Sequence, residues 1–255
     1  MVDLHCHILP GLDDGAIDEE ASLEMMRLAV AEGISVIAGT PHHRNGKYLT
    51  ECESILAGVE RLNELAKLHE LPLTIVPGQE IRLYGEIEAD HQEQKIMPLG
   101  GKSRYILIEF SNSHIPHFTE RLFSNLQALG LQPIIVHPER NSEFLARPEK
   151  LIQMIEKGAL VQVTASSLTG HFGKEIQKFS HQLIDADAVH VIASDAHNVT
   201  SRGFHMKAAK ELLEKKYGSD YVDFLMRNAE DILENKLVYP PQPSAVKRKK
   251  FFGLF

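Results

Sequence analysis

Cysteine is scarce in this chain. Its 255 residues hold two, too few for a disulfide framework and in keeping with a reducing compartment. Leu12 and Gly58 stand six positions after Cys6 and Cys52, so a thiolate phosphatase loop of the C-x5-R kind is absent. That argues against nucleophilic cysteine catalysis. The start has no basic leader and no long apolar run, which leaves neither a secretion signal nor a membrane span and makes the cytoplasm the default location. An excess of positive charge is also missing. The formal net charge is −8, which speaks against a binder of nucleic-acid backbones without excluding a locally positive cleft. There is no internal repeat and no obvious break into domains. What remains is an ordinary globular composition, 43% hydrophobic and 24% charged, long enough for one large α/β barrel or two small domains.

Short apolar runs alternate with helical patterns. Strands are expected at Val2–His5, Ser35–Thr40, Leu73–Val76, Tyr105–Phe110, Pro133–Val136, Leu160–Thr164 and Val189–Ser194. Between them lie stripes of helical spacing, such as Ile55, Val59, Leu62 and Ala66, with Thr50 and Glu53 resembling a capping box before it, and Ile176, Phe179 and Leu183. Gly33, Gly130 and Gly158 sit where helices should stop. Seven strands in βαβα order predict a parallel sheet, open or closed.

The first strand ends in "HCH". Residues i and i+2 of a strand share a face, so His5 and His7 point together while Cys6 points away into the core. Such a pair is either a metal site or incidental. The other strands bear on the choice. The second ends in Thr40, Pro41, His42 and His43; Glu80 follows the third; Glu109 closes the fourth; His137 follows the fifth; Asp195 and His197 follow the seventh. Only the sixth, ending near Thr164, lacks such a residue. In parallel α/β architectures the carboxyl ends of the strands meet at one face. Gathering so many ionisable groups there is costly unless something pairs them, and divalent metals do so economically. Imidazole and carboxylate without thiolate suit Mn, Fe or Zn. Asp14, Glu80, Glu109 and Asp195 bring four negative charges, and three divalent ions would leave the cleft positive, which favours an anionic substrate such as a phosphate ester. Arg140 and Arg202 lie on loops of the same face. They are either phosphate clamps or surface salt bridges.

In this pattern the chain resembles the polymerase-and-histidinol-phosphatase (PHP) superfamily. "DLHCH" (Asp3 to His7) fits its D-x-H-x-H signature, and "TPHH", the glutamate of "PGQEIRLYGE", "ILIEF", "HPERN" and "ASDAH" fit the later elements in order. "HCHILPGLDDGA" and "GQEIRLYGE" are similar to one branch, the manganese-dependent bacterial tyrosine-protein phosphatases of capsule and exopolysaccharide control. The resemblance implies a distorted seven-stranded (β/α)7 barrel over residues 1–238. It implies metal ligation by His5, His7, Asp14, His42, Glu80, Glu109, His137, Asp195 and His197, with three Mn2+ ions (Fe or Zn as substitutes) and phosphate recognition by Arg140 and Arg202. The implied substrate is an autophosphorylated bacterial tyrosine kinase with a tyrosine-rich tail. Metal-assisted hydrolysis of phosphotyrosine is the expected reaction. Rival readings are a histidinol-phosphate or other small phosphomonoester phosphatase, a phosphodiesterase, and a binding module without catalysis. His43 is an extra histidine for which a supporting or substrate role stays open.

Residues 239–255 have a different texture. "YPPQPS" (Tyr239 to Ser244) reads as a linker, and "AVKRKKFFGLF" after it as either a solvated tail or a docking peptide for a partner protein or an anionic membrane.

Overall fold

The computed structural model describes residues 1–247. Nine strands are present: β1 (Val2–Cys6), β2 (Val36–Gly39), β3 (His42–His43), β4 (Thr74–Pro77), β5 (Glu80–Arg82), β6 (Tyr105–Glu109), β7 (Gln132–Val136), β8 (Leu160–Thr164) and β9 (Val191–Ala193). They form two parallel sheets, ordered β1-β2-β4 and β3-β5-β6-β7-β8-β9. All seven expected strands are found within two residues of their expected ends. The count differs because the second and third runs each resume after a break. Pro41 has no N–H to continue the first. At the second break, a Cβ on Gly78 would lie 2.8 Å from the Thr40 methyl. Pairing continues across the break, since the Glu80 amide donates to the Pro41 carbonyl (3.0 Å). At the other side, β1 and the end of β9 are bonded through Asp195 N–H to His5 C=O (2.8 Å) and His7 N–H to Ala196 C=O (2.9 Å).

Helices Glu19–Ala31, Cys52–Leu68, Thr119–Ala128, Glu149–Glu156 and Lys174–Asp185 return the chain between strands. Gly33, Gly130 and Gly158 close three of them at φ of 83°, 82° and 96°, left-handed conformations that glycine adopts without a steric penalty. The expected capping box is not there. Helix Cys52–Leu68 starts after Glu51 without a side-chain cap, because the Thr50 hydroxyl donates instead to the His42 carbonyl (2.8 Å). That bond ties the helix entry to β3.

Two apolar cores result. The larger one joins the helices to the outer faces of the strands. The smaller holds Val2, Leu4, Ala38, Leu107, Ile134 and Leu160, with Ala229 and Ile232 of helix Ser219–Leu233 packed in with them. Strand alternation sets what stands above this inner core. Leu107 is followed by Glu109, Leu160 by Gln162, Val191 by Ala193 and Asp195, and Ala38 by Thr40 and His42, each pair two residues apart and so on one face. On β1 a register shift between Asp3 and Cys6 brings His5 above Leu4, where it bonds Gln162. The inner faces are thus oily at the amino ends of the strands and polar at the carboxyl ends, here called the mouth.

The expected linker, Tyr239 to Ser244, contains no helix or strand. It does not lead away from the body, however: the Ser244 amide donates to the Ala186 carbonyl (2.8 Å).

His190, just before β9, is fully buried; its Nδ1 accepts the Val161 amide (2.8 Å). Burial pushes its pKa from 6.5 down to about 3. The unfolded chain therefore binds the proton that the folded chain refuses, and stability falls as pH drops below 6.5 by about 1.4 kcal/mol per pH unit from this group. His190→Asn keeps an acceptor for Val161 and does not titrate there. Denaturant unfolding of the two proteins between pH 6.5 and 4.5 should show the wild type losing about 2–3 kcal/mol more; equal losses would contradict this.

Candidate metal centre

Glu80 is the hub of the mouth. It is fully buried, and its Oε1 accepts from His137 Nε2 at 2.7 Å. Its Oε2 faces His42 Nδ1 at 2.7 Å, His7 Nε2 at 3.3 Å and His5 Nε2 at 3.4 Å. Asp195 Oδ1 lies 3.2 Å from His7 Nε2 and 3.5 Å from His5 Nε2. On the outer side Asp14 Oδ1 stands 3.4 Å from His42 Nε2 and 3.6 Å from His197 Nε2. Glu109 Oε2 is 3.7 Å from His42 Nδ1. All nine residues expected as ligands are therefore brought together. Asp14, with a side chain 43% exposed, is the one that opens to solvent.

Three sets of ligand atoms lie within 4.8 Å of one another: His5, His7 and Glu80; His42, Glu80 and Glu109; and His7, Asp14, His42 and His197. Metal ions fit this arrangement by two observations. Oε2 of both Glu80 and Glu109 and Nε2 of His197 are buried without a hydrogen-bond partner, which is expensive unless something else satisfies them. The charges also crowd. Burial and the neighbouring Glu80 push the Glu109 carboxyl up to about 7, a cost that a shared cation removes. Burial opposes ionisation of Glu80, yet His5, His42 and the bond from His137 hold it well below the usual carboxylate range. Burial and the adjacent Arg140 push His137 down to about 4, and burial with His7 lowers His197. Neutral imidazole is the form that donates a lone pair to a metal.

Residues not singled out from the sequence hold these groups in place. Asp13, rather than Asp14, fixes the imidazole of His7: its Oδ2 bonds His7 Nδ1 (2.6 Å) and accepts the His42 amide (2.9 Å), while Oδ1 accepts the Gly15 amide (2.9 Å). The sixth expected strand does contribute, through Gln162 Oε1 on His5 Nδ1 (2.9 Å). Asp3 is buried and bonded to the Ser194 amide (2.9 Å), which locks β1 to the strand that carries Asp195. Glu139, also buried, accepts from the Thr164 amide (3.0 Å) and the Ser167 hydroxyl (2.7 Å) and so anchors the loop that carries Arg140. Arg82 bonds Glu109 Oε1 (3.0 Å). The doubled aspartate of "LDDG" and the alternation of Leu160 with Gln162 were the available signals; the remaining pairings join distant parts of the chain. His43 does not join the cluster. It is buried, with Nδ1 on the Thr50 carbonyl (2.9 Å).

Neither arginine is a surface salt bridge. Arg140 is paired with Asp195 Oδ2 and lies over the Phe172 ring, 5.3 Å from its centroid. Arg202 reaches the same Asp195 oxygen at 3.3 Å and Asp14 at 3.8 Å. Cys6 is buried in the larger core with its thiol on the Ala196 carbonyl (3.5 Å), and burial raises its pKa well above the ordinary thiol value.

Fold and site together define a parallel α/β protein with a histidine–carboxylate cluster of metal-site type at the carboxyl ends of its strands. Comparison narrows this class. Residues 1–234 match the family described as capsular polysaccharide synthesis, CpsB/CapC, and the chain belongs to that family. It is 46% identical over 255 residues to the tyrosine-protein phosphatase YwqE of Bacillus subtilis (strain 168), with both chains covered completely. It is 37% identical, again over the full length of both, to the putative tyrosine-protein phosphatase CapC of Staphylococcus aureus. Against the tyrosine-protein phosphatase CpsB of Streptococcus pneumoniae it is 31% identical over 245 residues, 93% of this chain and all of the other. A crystal structure from the work on YwqE and CpsB, described there as unique metal-dependent tyrosine phosphatases, superposes with a TM-score of 0.95 at 46% identity, covering 97% of this chain and 100% of the other. The expected superfamily is consistent with these relatives.

Two variants test the supports. Asp13→Ala should weaken divalent-metal binding about 10–100-fold, as loss of a group that orients a metal-binding histidine does; titration of the metal-stripped protein with Mn2+ reads it. In Gly15→Ala the new Cβ would fall 1.9 Å from the His7 carbonyl oxygen. The loop must then shift, and the same titration should show weakened binding; unchanged affinity would mean the loop yields elsewhere.

Proposed function

We propose that this protein hydrolyses phosphotyrosine on a protein substrate in a metal-dependent reaction, acting on an autophosphorylated bacterial tyrosine kinase in the control of capsule or exopolysaccharide synthesis. The observation that carries the proposal is the buried Glu80 carboxylate facing four imidazoles, with two arginines held at the rim of the same cluster. Relatives that share the full length are named tyrosine-protein phosphatases.

His5, His7, Asp14, His42, Glu80, Glu109, His137, Asp195 and His197 would hold three divalent ions, manganese by our reading. When bound, such ions polarise phosphoryl oxygens and favour ionisation of water at neutral pH. The chain's own residues do the rest. Glu80 and Asp195 stay anionic, and the neutral imidazoles of His137 and His197 keep lone pairs available for coordination. Arg140 and Arg202, both tied to one Asp195 oxygen, are positioned to bind phosphate oxygens and to stabilise the negative charge of the transition state. Tyrosine leaves with a parent pKa of about 10, so no strong proton donor is required. Cysteine chemistry has no candidate: Cys6 is buried, and burial also raises the pKa of Cys52.

The same proposal treats residues 1–238 as the catalytic domain and reads the two sheets as one interrupted seven-stranded barrel. That reading is supported by the breaks at Pro41 and Gly78 and by the bonds between β1 and the end of β9. A cytoplasmic location is supported by the two free cysteines.

The test is phosphate release from a phosphotyrosine peptide and from histidinol phosphate, with Mn2+ and with chelator. Manganese-dependent release from the peptide is expected, lost on chelation and lost in a folded Glu80→Gln variant. Arg140→Ala should lower kcat/KM about 10²–10³-fold. Preference for histidinol phosphate would overturn the substrate, and full activity of Glu80→Gln would overturn the shared centre.

A further inference from the structure

The sequence after helix Ser219–Leu233 contains no acidic residue, while the whole chain carries 35 Asp and Glu against 27 Lys and Arg. Four of those cations are consecutive, Lys247 to Lys250, and they are followed at once by Phe251, Phe252, Gly253, Leu254 and Phe255. An acidic body thus ends in a compact basic and aromatic segment. Residues 248–255 lie outside the described residues, but the chain leading to them is well defined.

That approach is a strap along the outside of helix Lys174–Asp185. It begins at the helix's carboxyl end, where the Ser244 amide donates to Ala186. One turn back, Gln182 Nε2 donates to the Lys247 carbonyl (2.7 Å). Val246 packs against the larger core and lines a cavity of about 200 Å3 with Leu145, Pro148, Lys178 and Phe179. In a βαβ unit the helix starts at the carboxyl end of the strand before it. This helix follows β8, so its amino end is at the mouth side. The strap runs antiparallel to it and therefore carries the basic segment towards the mouth. Nothing in the metal cluster uses any of these residues.

We propose that the segment from Lys247 to Phe255 is a surface anchor for anionic lipid, which holds the mouth side of the molecule towards a membrane. Consecutive cations gain attraction from an anionic leaflet without needing individual partners, and adjacent phenylalanines insert at the boundary between headgroups and acyl chains. A helical peptide docked in a protein groove would instead space its apolar anchors at three and four residues, which "KRKKFFGLF" does not do. The acidic body is repelled by the same surface, so only the segment at the end of the strap is drawn in.

The experiment is flotation of the full chain with vesicles of phosphatidylcholine alone and of an equimolar mixture with phosphatidylglycerol, at low and high salt. At least about tenfold more protein should float with the anionic vesicles at low salt, with the excess lost at high salt. The combined variant Lys247→Gln, Arg248→Gln, Lys249→Gln, Lys250→Gln should lose that preference. Phe251→Ser with Phe252→Ser should weaken binding while leaving its salt dependence. Both variants should melt at the wild-type temperature, since the strap's bonds to this segment are made by backbone atoms. Equal flotation with both lipids, no flotation with either, or full binding by the charge-neutral variant would each overturn the proposal. Absence of lipid binding would leave the segment to a protein partner. None of these outcomes depends on phosphatase activity.

Discussion

The rest of the mouth depends on one buried carboxylate. Glu80 is taken out of water completely, and it stays ionised only because His5, His7, His42 and His137 surround it. Those imidazoles arrive on three different segments of chain, so the charge balance of one side chain requires β1, β3 and the turn after β7 to be in register together. A carboxylate so placed is expensive in isolation. It becomes favourable when cations share it, and a site built on such a group is therefore assembled whole or not at all.

The backbone makes that assembly reproducible. Each strand presents apolar residues to the inner core near its amino end and polar ones two residues further on, so the same pleat that packs Leu107, Ile134 and Leu160 also directs Glu109 and Gln162 to the mouth. Irregular backbone occurs where alternation alone would fail. The register shift on β1 brings His5 over Leu4. His137 takes a left-handed conformation, φ 36°, just after β7, which lets the chain turn into Pro138 while the imidazole still reaches Glu80. Strain of this kind in a non-glycine residue persists only where surrounding bonds hold it; here the His137 amide on Gln162 (2.8 Å) and the bond to Glu80 do so.

Much of this was legible beforehand. The apolar runs marked the strands, and the ionisable residues at their ends marked the cluster, because both follow from local periodicity. The two extra strands were not, since three residues such as Glu80–Arg82 carry no period of their own. The capping box failed because Thr50 had a tertiary partner in His42 that no local rule contains. Asp13 and Asp14 are adjacent and chemically alike, and only the fold assigns one to hold His7 and the other to open towards solvent. Gln162 and Glu139 escaped for a related reason: neutral or distant side chains that orient a histidine or a loop leave no spacing signature.

Arginine placement follows from the same economy of charge. Arg140 and Arg202 converge on Asp195 Oδ2 while Oδ1 faces the imidazoles of His5 and His7, so a single aspartate links the cationic rim to the cluster beneath it. Burial disfavours ionisation of Asp195, but Arg140 and His5 hold its pKa well below the carboxylate range. The guanidiniums are thereby fixed in position before any anion arrives. An incoming phosphate does not have to order two long flexible side chains, whose rotamer entropy would otherwise count against binding. Glu139 continues the arrangement downward, since its bonds to Thr164 and Ser167 fix the turn from which Arg140 projects. The selectivity of the mouth for anions thus rests on acidic residues that no anion touches.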